Sequence, residues 1–255
     1  MTIIKTLDEI KKIQKANEII IEFYNNIIPK YIKPGISTLE LDKIAEDYIR
    51  SQGAIPGTKG YDGGYTAKPY PASLCTSINN KVVHGIPRAD EFLKEGDIIS
   101  LDVVTILDGY YGDAAITLPV GKIDEESKKL LEVTEKARQL GIEQAVVGNR
   151  IGDISAAIQE YVEDHGFSLV RDFAGHGVGK EMHEDPMVPN FGKRGMGPKI
   201  EEGMVFAIEP MVNVGSHHVR LLNDQWTAVT VDGKRSAHFE YSIAIVDGRP
   251  MILGV

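Results

Sequence analysis

The sequence predicts an α+β fold in which two related helix-plus-sheet halves share one core. Three observations carry that prediction. A helix signal bounded by Gly35 and Gly53 returns between Gly148 and Gly166. A turn, an apolar strand and an acid at Gly96 to Asp102 return at Gly203 to Glu209. After the first of these strands, Asp108-Gly109 joins two apolar runs as a two-residue hairpin. A period this long excludes a solenoid, and loops of unequal length explain why the two shifts differ by a few positions. The 255 residues allow one large domain or two small ones. The echoes favour a single domain, 1–255, with halves at about 1–120 and 121–255.

The first helix runs from Leu7 to about Ile28, with Ile10, Ile13, Ile20 and Phe23 at helical spacing and Pro29 closing it. Ser37 caps the second, where Leu41, Ile44, Ala45, Tyr48 and Ile49 recur until Gly53. Its echo carries Ile154, Ala157, Ile158, Tyr161 and Val162, so Leu41 falls on Ile154, Tyr48 on Tyr161 and Ile49 on Val162. The strands that end in acids read Asp97-Ile98-Ile99-Ser100-Leu101-Asp102 and Met204-Val205-Phe206-Ala207-Ile208-Glu209. With Asp108-Gly109 as the turn, Leu107 pairs with Tyr110, Val104 with Asp113 and Asp102 with Ala115. Asp102 and Asp113 then become diagonal neighbours on one face, with Cβ atoms roughly 7–8 Å apart.

Composition narrows the chemistry. Apolar residues make up 42% and charged residues 25%, which is ordinary globular usage rather than disorder. Lys+Arg 28 against Asp+Glu 37 leaves a net charge of −9, which argues against a general nucleic-acid binder. The single cysteine, Cys75, excludes an internal disulfide and a cysteine-rich zinc module. The first ten residues turn charged without forming an apolar signal core, and no run approaches the roughly 18 apolar residues of a membrane span. A cytoplasmic protein without membrane attachment is expected. Nothing demands a partner subunit, so a monomer is expected.

Two acids in each half point to metal chemistry. Without a cation, Asp102 and Asp113 on one buried face would repel, and one would hold a proton. Structural readings stay open here: a turn cap at Asp113 and a surface strand end at Asp102. Glu209 ends its apolar strand, and Glu240 sits inside Ala237-His238-Phe239-Glu240-Tyr241-Ser242-Ile243. An acid there is costly to bury unless paired or metal-bound, and for either alone a buried ion pair serves equally. Together, the four carboxylates balance two divalent cations. His176, in Gly175-His176-Gly177-Val178-Gly179, matches neither phosphate-binding fingerprint and suggests a backbone packed close to a ligand. An oxygen-rich set with one imidazole suits Mn, Fe(II) or Co better than a thiolate zinc site. Two such ions can activate water and polarise a carbonyl together, which is the chemistry of hydrolysis. His183 and His84 remain as imidazoles able to donate to substrate or shuttle a proton. For His84, spacing alone supports a satisfied polar role equally.

Val82-Val83-His84-Gly85-Ile86-Pro87, the pair Asp102 and Asp113, Gly175-His176-Gly177-Val178-Gly179, Met182-His183-Glu184, Ile208-Glu209-Pro210 and Glu240 resemble type I methionine aminopeptidase. The resemblance covers essentially the whole chain. It implies the pseudo-two-fold "pita-bread" fold, an antiparallel sheet core covered by helices, as one catalytic domain. It implies two divalent metal ions (Co, Mn or Fe(II), with Zn or Ni also open). Asp113 and Glu240 would bridge them, Asp102 would bind one, and His176 and Glu209 the other. Glu209 would also be the general base, His183 would contact the scissile amide, and His84 would assist proton transfer. The reaction implied is removal of the initiator methionine from nascent proteins whose second residue is small. Tyr70, Cys75, Met182 and Trp226, with His84 and His183, match substrate-binding positions. Thr227 matches a near-metal threonine, a candidate for support behind the ligands.

The chain departs from the family pattern in places. Val83 stands where relatives often carry Cys, and Met182 where Phe is common, which reshapes the methionine pocket. The Tyr61 to Pro69 segment is longer and Gly-rich, so Tyr65 has no fixed counterpart. A proline-directed aminopeptidase or prolidase of the same fold is the alternative, but those usually carry a large N-terminal domain. A non-catalytic binding scaffold would be expected to have lost ligands. The loop from Phe191 to Lys199 is expected to be a solvated basic connection, with ribosome contact as its other reading. Cys75 is expected to be a small pocket or core residue rather than a nucleophile.

Overall fold

The computed structural model describes residues 2–63 and 68–255, so Tyr65 lies outside the described residues. The chain opens with α1 (Leu7–Glu22) and α2 (Thr38–Ser51). Strands β1 (Ile55–Pro56), β2 (Cys75–Ile78), β3 (Lys81–Val83), β4 (Ile98–Leu107) and β5 (Tyr110–Pro119) follow. Two more helices come next, α3 (Glu125–Glu143) and α4 (Ile151–Asp164). Then come β6 (Ser168–Leu169), β7 (Gly175–Gly177), β8 (Glu184–Val188), β9 (Val205–Ile208) and β10 (Met211–Asn213). The last strands are β11 (Val219–Leu221), β12 (Ala228–Thr230), β13 (Ser236–His238), β14 (Glu240–Val246) and β15 (Arg249–Ile252).

Local chemistry sets the helix ends. Thr6 and Ser37 each accept a backbone N–H from the third helical residue, while Glu9 and Glu40 reach back to the cap. The regular α-helix ends earlier than the apolar spacing predicts, because Phe23–Ile27 widen into a π-turn and Ile28–Lys30 tighten into a 3-10 turn at Pro29. α3 is an element that the sequence reading lacks. Its buried Leu130, Val133, Ala137 and Ile142 keep helical spacing but are interspersed with charged residues. The basic loop is not merely a solvated connection, since it caps α4. Ile151 N–H donates to Pro198 O, Gly152 N–H to Met196 O, and Gly195 N–H to Asp153 Oδ1. The loop thereby satisfies N–H groups that a helix start leaves free.

Nine strands form one antiparallel sheet in the order β1-β4-β5-β14-β9-β7-β8, with β2 on β4 and β15 on β14. Two three-stranded sheets, β13-β10-β6 and β11-β12-β3, lie beside it. The β4–β5 register follows the predicted turn: Leu107 faces Tyr110, Val104 faces Asp113 and Asp102 faces Ala115. Asp108 and Gly109 take φ of 50° and 77°, the positive values that this hairpin turn requires. One apolar cluster spans Ile20 to Val120 and another is drawn from Ile98 and from Ile123 to Ile245, with Ile116 and Tyr241 packed against both. A third joins Ile10 and Ile13 of α1 to Val205, Ala207, Ala244 and Leu253. The architecture is α+β, an antiparallel sheet covered by helices. Among the described residues no helix is long and apolar enough to cross a membrane.

Candidate metal centre

Strand register brings the predicted acids together. Asp102 on β4 faces Ala115 on β5, and Ala115 faces Glu240 on β14. Residues that face each other across strands share a side of the sheet, as do residues two apart. Asp102, Glu240 and Asp113 therefore project the same way. The methyl group of Ala115 is small enough to leave room between them. Tyr241 pairs with Ile208, so Glu209 follows one position beyond, beside Glu240. Four carboxylates thus gather from β4, β5, β14 and the end of β9. Asp113 is 4% exposed and lies within β5 opposite Val104, so it caps no turn, and Asp102 lies within β4 rather than at its end.

His176 enters from β7. Its Nδ1 bonds Gly177 O at 3.0 Å, leaving Nε2 3.5 Å from Glu209 Oε1 and 3.8 Å from Asp113 Oδ2. The flanking glycines have a different cause from the one expected. A Cβ at Gly175 would come within 2.3 Å of Ala207 O, and one at Gly177 within 2.3 Å of Asp185 O. Neighbouring strands, not a bound ligand, demand glycine there.

The electrostatics call for a cation. Asp113, His176 and Glu240 offer ligand atoms all within 4.8 Å of one another, as do Glu209, His238 and Glu240. Asp102 belongs to neither trio, yet its Oδ1, like Glu240 Oε1, is buried without a hydrogen-bond partner. Burial pushes the Asp102 carboxyl up to about 6. Burial, followed by repulsion from neighbouring carboxylates, holds Asp113 and Glu240 well above the ordinary range. Burial also acts upward on Glu209, but His238 and His176 outweigh it and its carboxyl lies below the ordinary value. Orphaned oxygens among crowded acids fit a site built for divalent ions.

A cavity of about 690 Å³ opens above these groups. Its walls include Tyr70, Cys75, Met182, Trp226, His84 and His183, so all six predicted substrate-binding positions line one chamber. His84 takes a left-handed φ of 57°, and the next residue must be glycine because a Cβ at Gly85 would lie 2.0 Å from Thr76 O. Tyr70 Oη donates to Gly85 O at 2.8 Å, and its ring meets Trp226 edge-on at 5.3 Å. Burial lowers the His84 imidazole to about 4, with His238 and His176 acting the same way. Burial likewise lowers His183 to about 4, although that ring faces the open mouth, where solvent screens the effect. His183 Nδ1 bonds the Tyr61 hydroxyl, and the ring stands 4.1 Å from that of His176. Burial pushes the Cys75 thiol well up, which leaves it a wall rather than a nucleophile. The Thr227 hydroxyl forms its hydrogen bonds with groups outside the four-acid cluster. It donates to Asp224 Oδ2 at 2.7 Å and lies 3.5 Å from His84 O, so it supports the His84 turn instead.

Sequence reasoning gave no role to His238, Tyr61 or Phe173. His238 stands two residues before Glu240, the spacing that puts strand neighbours on one face, and that was its available signal. Tyr61 and Phe173 carry no such pattern.

The model of metallopeptidase family M24 matches residues 11–247. The chain belongs to metallopeptidase family M24. Within this family it is 52% identical over 253 residues to a methionine aminopeptidase of Clostridium acetobutylicum, covering 99% of this chain and 98% of that one. The crystal structure of methionine aminopeptidase from Rickettsia prowazekii superposes with a TM-score of 0.95 at 39% identity, covering both chains fully. A prolidase from Pyrococcus furiosus shares the fold at 22% identity and a TM-score of 0.76, with 66% of that chain covered.

Proposed function

We infer that this M24 chain is a methionine aminopeptidase, which hydrolyses the first peptide bond of nascent polypeptides that begin with methionine and carry a small second residue. One observation carries the reading: four acids, of which Asp113, Glu209 and Glu240 are buried, converge with one imidazole at the floor of a cavity walled by Tyr70, Cys75, Met182 and Trp226. Asp102, Asp113, His176, Glu209 and Glu240 would hold two divalent cations, with Asp113 and Glu240 shared between them. When bound, such ions lower the pKa of water and polarise a carbonyl.

The remaining steps belong to side chains. Glu209 accepts the proton of the attacking water and passes it on towards the leaving amine. His183, held by Tyr61 at the mouth, donates to the carbonyl oxygen as negative charge develops there. His84, across the chamber against Phe173 and Trp226, meets the first peptide group and assists proton transfer. The apolar wall takes the methionine side chain. The oxygen-rich donor set favours Mn, Fe(II) or Co. In this reading the protein acts as a cytoplasmic monomer. Of the two adjacent cations in the basic loop, Arg194 already pairs with Glu160, so ribosome contact there would rest on Lys193.

Initial rates on Met-Ala-Ser and on a matched X-Pro peptide test the reading, using chelator-stripped protein titrated with Mn, Co or Fe(II). Metal-restored release of methionine from the first peptide alone is expected. Cleavage of the X-Pro peptide instead, or silence on both with metal bound, would overturn it.

A further inference from the structure

His238 is buried beneath the acid cluster, 2% exposed, and both of its ring nitrogens lack a hydrogen-bond partner of good geometry. Its Nε2 stands 3.3 Å from Glu209 Oε2, off the line of an ideal bond. Glu209 is thereby bracketed, with Oε1 turned to His176 at 3.5 Å and Oε2 to His238. Its backbone is clamped as well, because Asn190 Nδ2 donates to Glu209 O at 3.0 Å. We propose that His238 is a positioning residue whose Nε2–H donates to Glu209 Oε2, leaving Glu209 Oε1 alone to face the metal position beside His176.

The rival role, a second imidazole ligand, is disfavoured by what each ring does with its other nitrogen. A metal-bound histidine almost always donates its second ring N–H to a carbonyl or carboxylate, which fixes the tautomer that leaves the ligating nitrogen bare. His176 meets that requirement through Gly177 O. His238 does not, since Nδ1 has no acceptor. Ligation through Nε2 would leave a buried N–H without a partner. The opposite tautomer puts the hydrogen on Nε2, where Glu209 waits, and leaves only an unpaired acceptor at Nδ1. Occupying Oε2 in this way holds Glu209 as a one-oxygen ligand and fixes the plane of its carboxylate.

The inference rests on Glu209 being a ligand, as proposed above, and its test separates the two. Cu(II) added at one equivalent to chelator-stripped wild-type protein should show one nitrogen donor by electron paramagnetic resonance. Two nitrogens would make His238 a ligand and overturn the proposal. By calorimetry, His238→Leu should weaken binding of Mn(II) by roughly 10–100-fold, the usual effect of losing such support. His238→Gln, whose amide N–H can take the same place, should recover most of that loss. A Gln variant as weak as the Leu variant, or a Leu variant as tight as wild type, would overturn the proposal. Thermal melting of the metal-free variants checks their folding, and should His238→Leu not fold, the nitrogen count and the Gln variant decide. Wild-type protein that binds neither ion would instead overturn the metal-centre reading itself.

Discussion

Asp113 and His84 line the same cavity, yet their removal should have opposite consequences. Asp113 lies within reach of His176 and Glu240, Asp102 and Glu209 act on its carboxyl, and it acts on that of Glu240, so it is coupled to every acid of the cluster. Asp113→Ala should therefore lose both metals. His84 contributes no atom to that cluster, and it approaches it only as a ring against Phe173 and Trp226. His84→Ala should fold, keep its metal and lose turnover by about 10²–10⁴-fold, the range for a lost proton-transfer group. Metal content after gel filtration, set beside initial rates, checks both. Full metal in the first variant or normal turnover in the second would contradict the roles assigned here. The Asp102–Asp113 pairing was legible because Asp108-Gly109 fixes a local register. The placement of Glu209 beside Glu240 was not derivable in the same way. It depends on β14 pairing with β5 and β9, contacts between segments far apart in the chain that no local rule supplies.

At the scale of elements, the site depends on how closely α1 lies on β5. A Cβ at Gly112 would come within 2.6 Å of Ala16 C and 2.7 Å of Asn17 N, backbone atoms that cannot turn aside. The same helix reaches the cluster directly, since Asp113 N–H donates to Asn17 Oδ1 at 3.2 Å. Gly112→Val should push the helix outward at a cost of about 1–3 kcal/mol. That corresponds to a fall of roughly 2–12 °C in melting temperature for a chain of this size, and metal affinity should fall with it. Gly109→Ala is the control. It meets nothing within 4 Å, but its φ of 77° penalises a side chain by about 1–2 kcal/mol. It should lower stability while leaving metal affinity intact. Parallel melting curves and Mn(II) titrations would tell the two apart, and equal affinities in the two variants would remove α1 from the account. The start of α2 was legible from its Ser37 cap, whereas the reciprocal Thr6 and Glu9 bonds that start α1 came only with the structure. The end of α1 was not legible, because Phe23, Tyr24 and Ile27 keep apolar residues at near-helical spacing while their backbone widens.

For the whole molecule, the echo in the sequence becomes a statement about cooperativity. Glycines aligned by the echo share backbone angles: φ is 91° and 104° at Gly35 and Gly148, 76° and 83° at Gly53 and Gly166, and 89° and 81° at Gly96 and Gly203. Matching turns at matching positions support two related halves. We propose that they form one domain, because the connections between them are extensive. β14 bonds to β5 on one side and β9 on the other, Ile10 and Ile13 of α1 pack against Val205, Ala244 and Leu253, and the acid cluster draws on both halves. Separated, residues 1–122 would leave β5 as an open edge and Asp102 and Asp113 without their counter-groups. Neither 1–122 nor 123–255 should melt cooperatively or retain Mn(II) alone, and mixing them should restore both properties together. Calorimetric melting and metal retention on the separate and mixed fragments would test this. A cooperative transition in 1–122 alone would show that the halves are domains in their own right. Restored melting without restored metal would show that the sheet can reassemble without bringing the four acids into register.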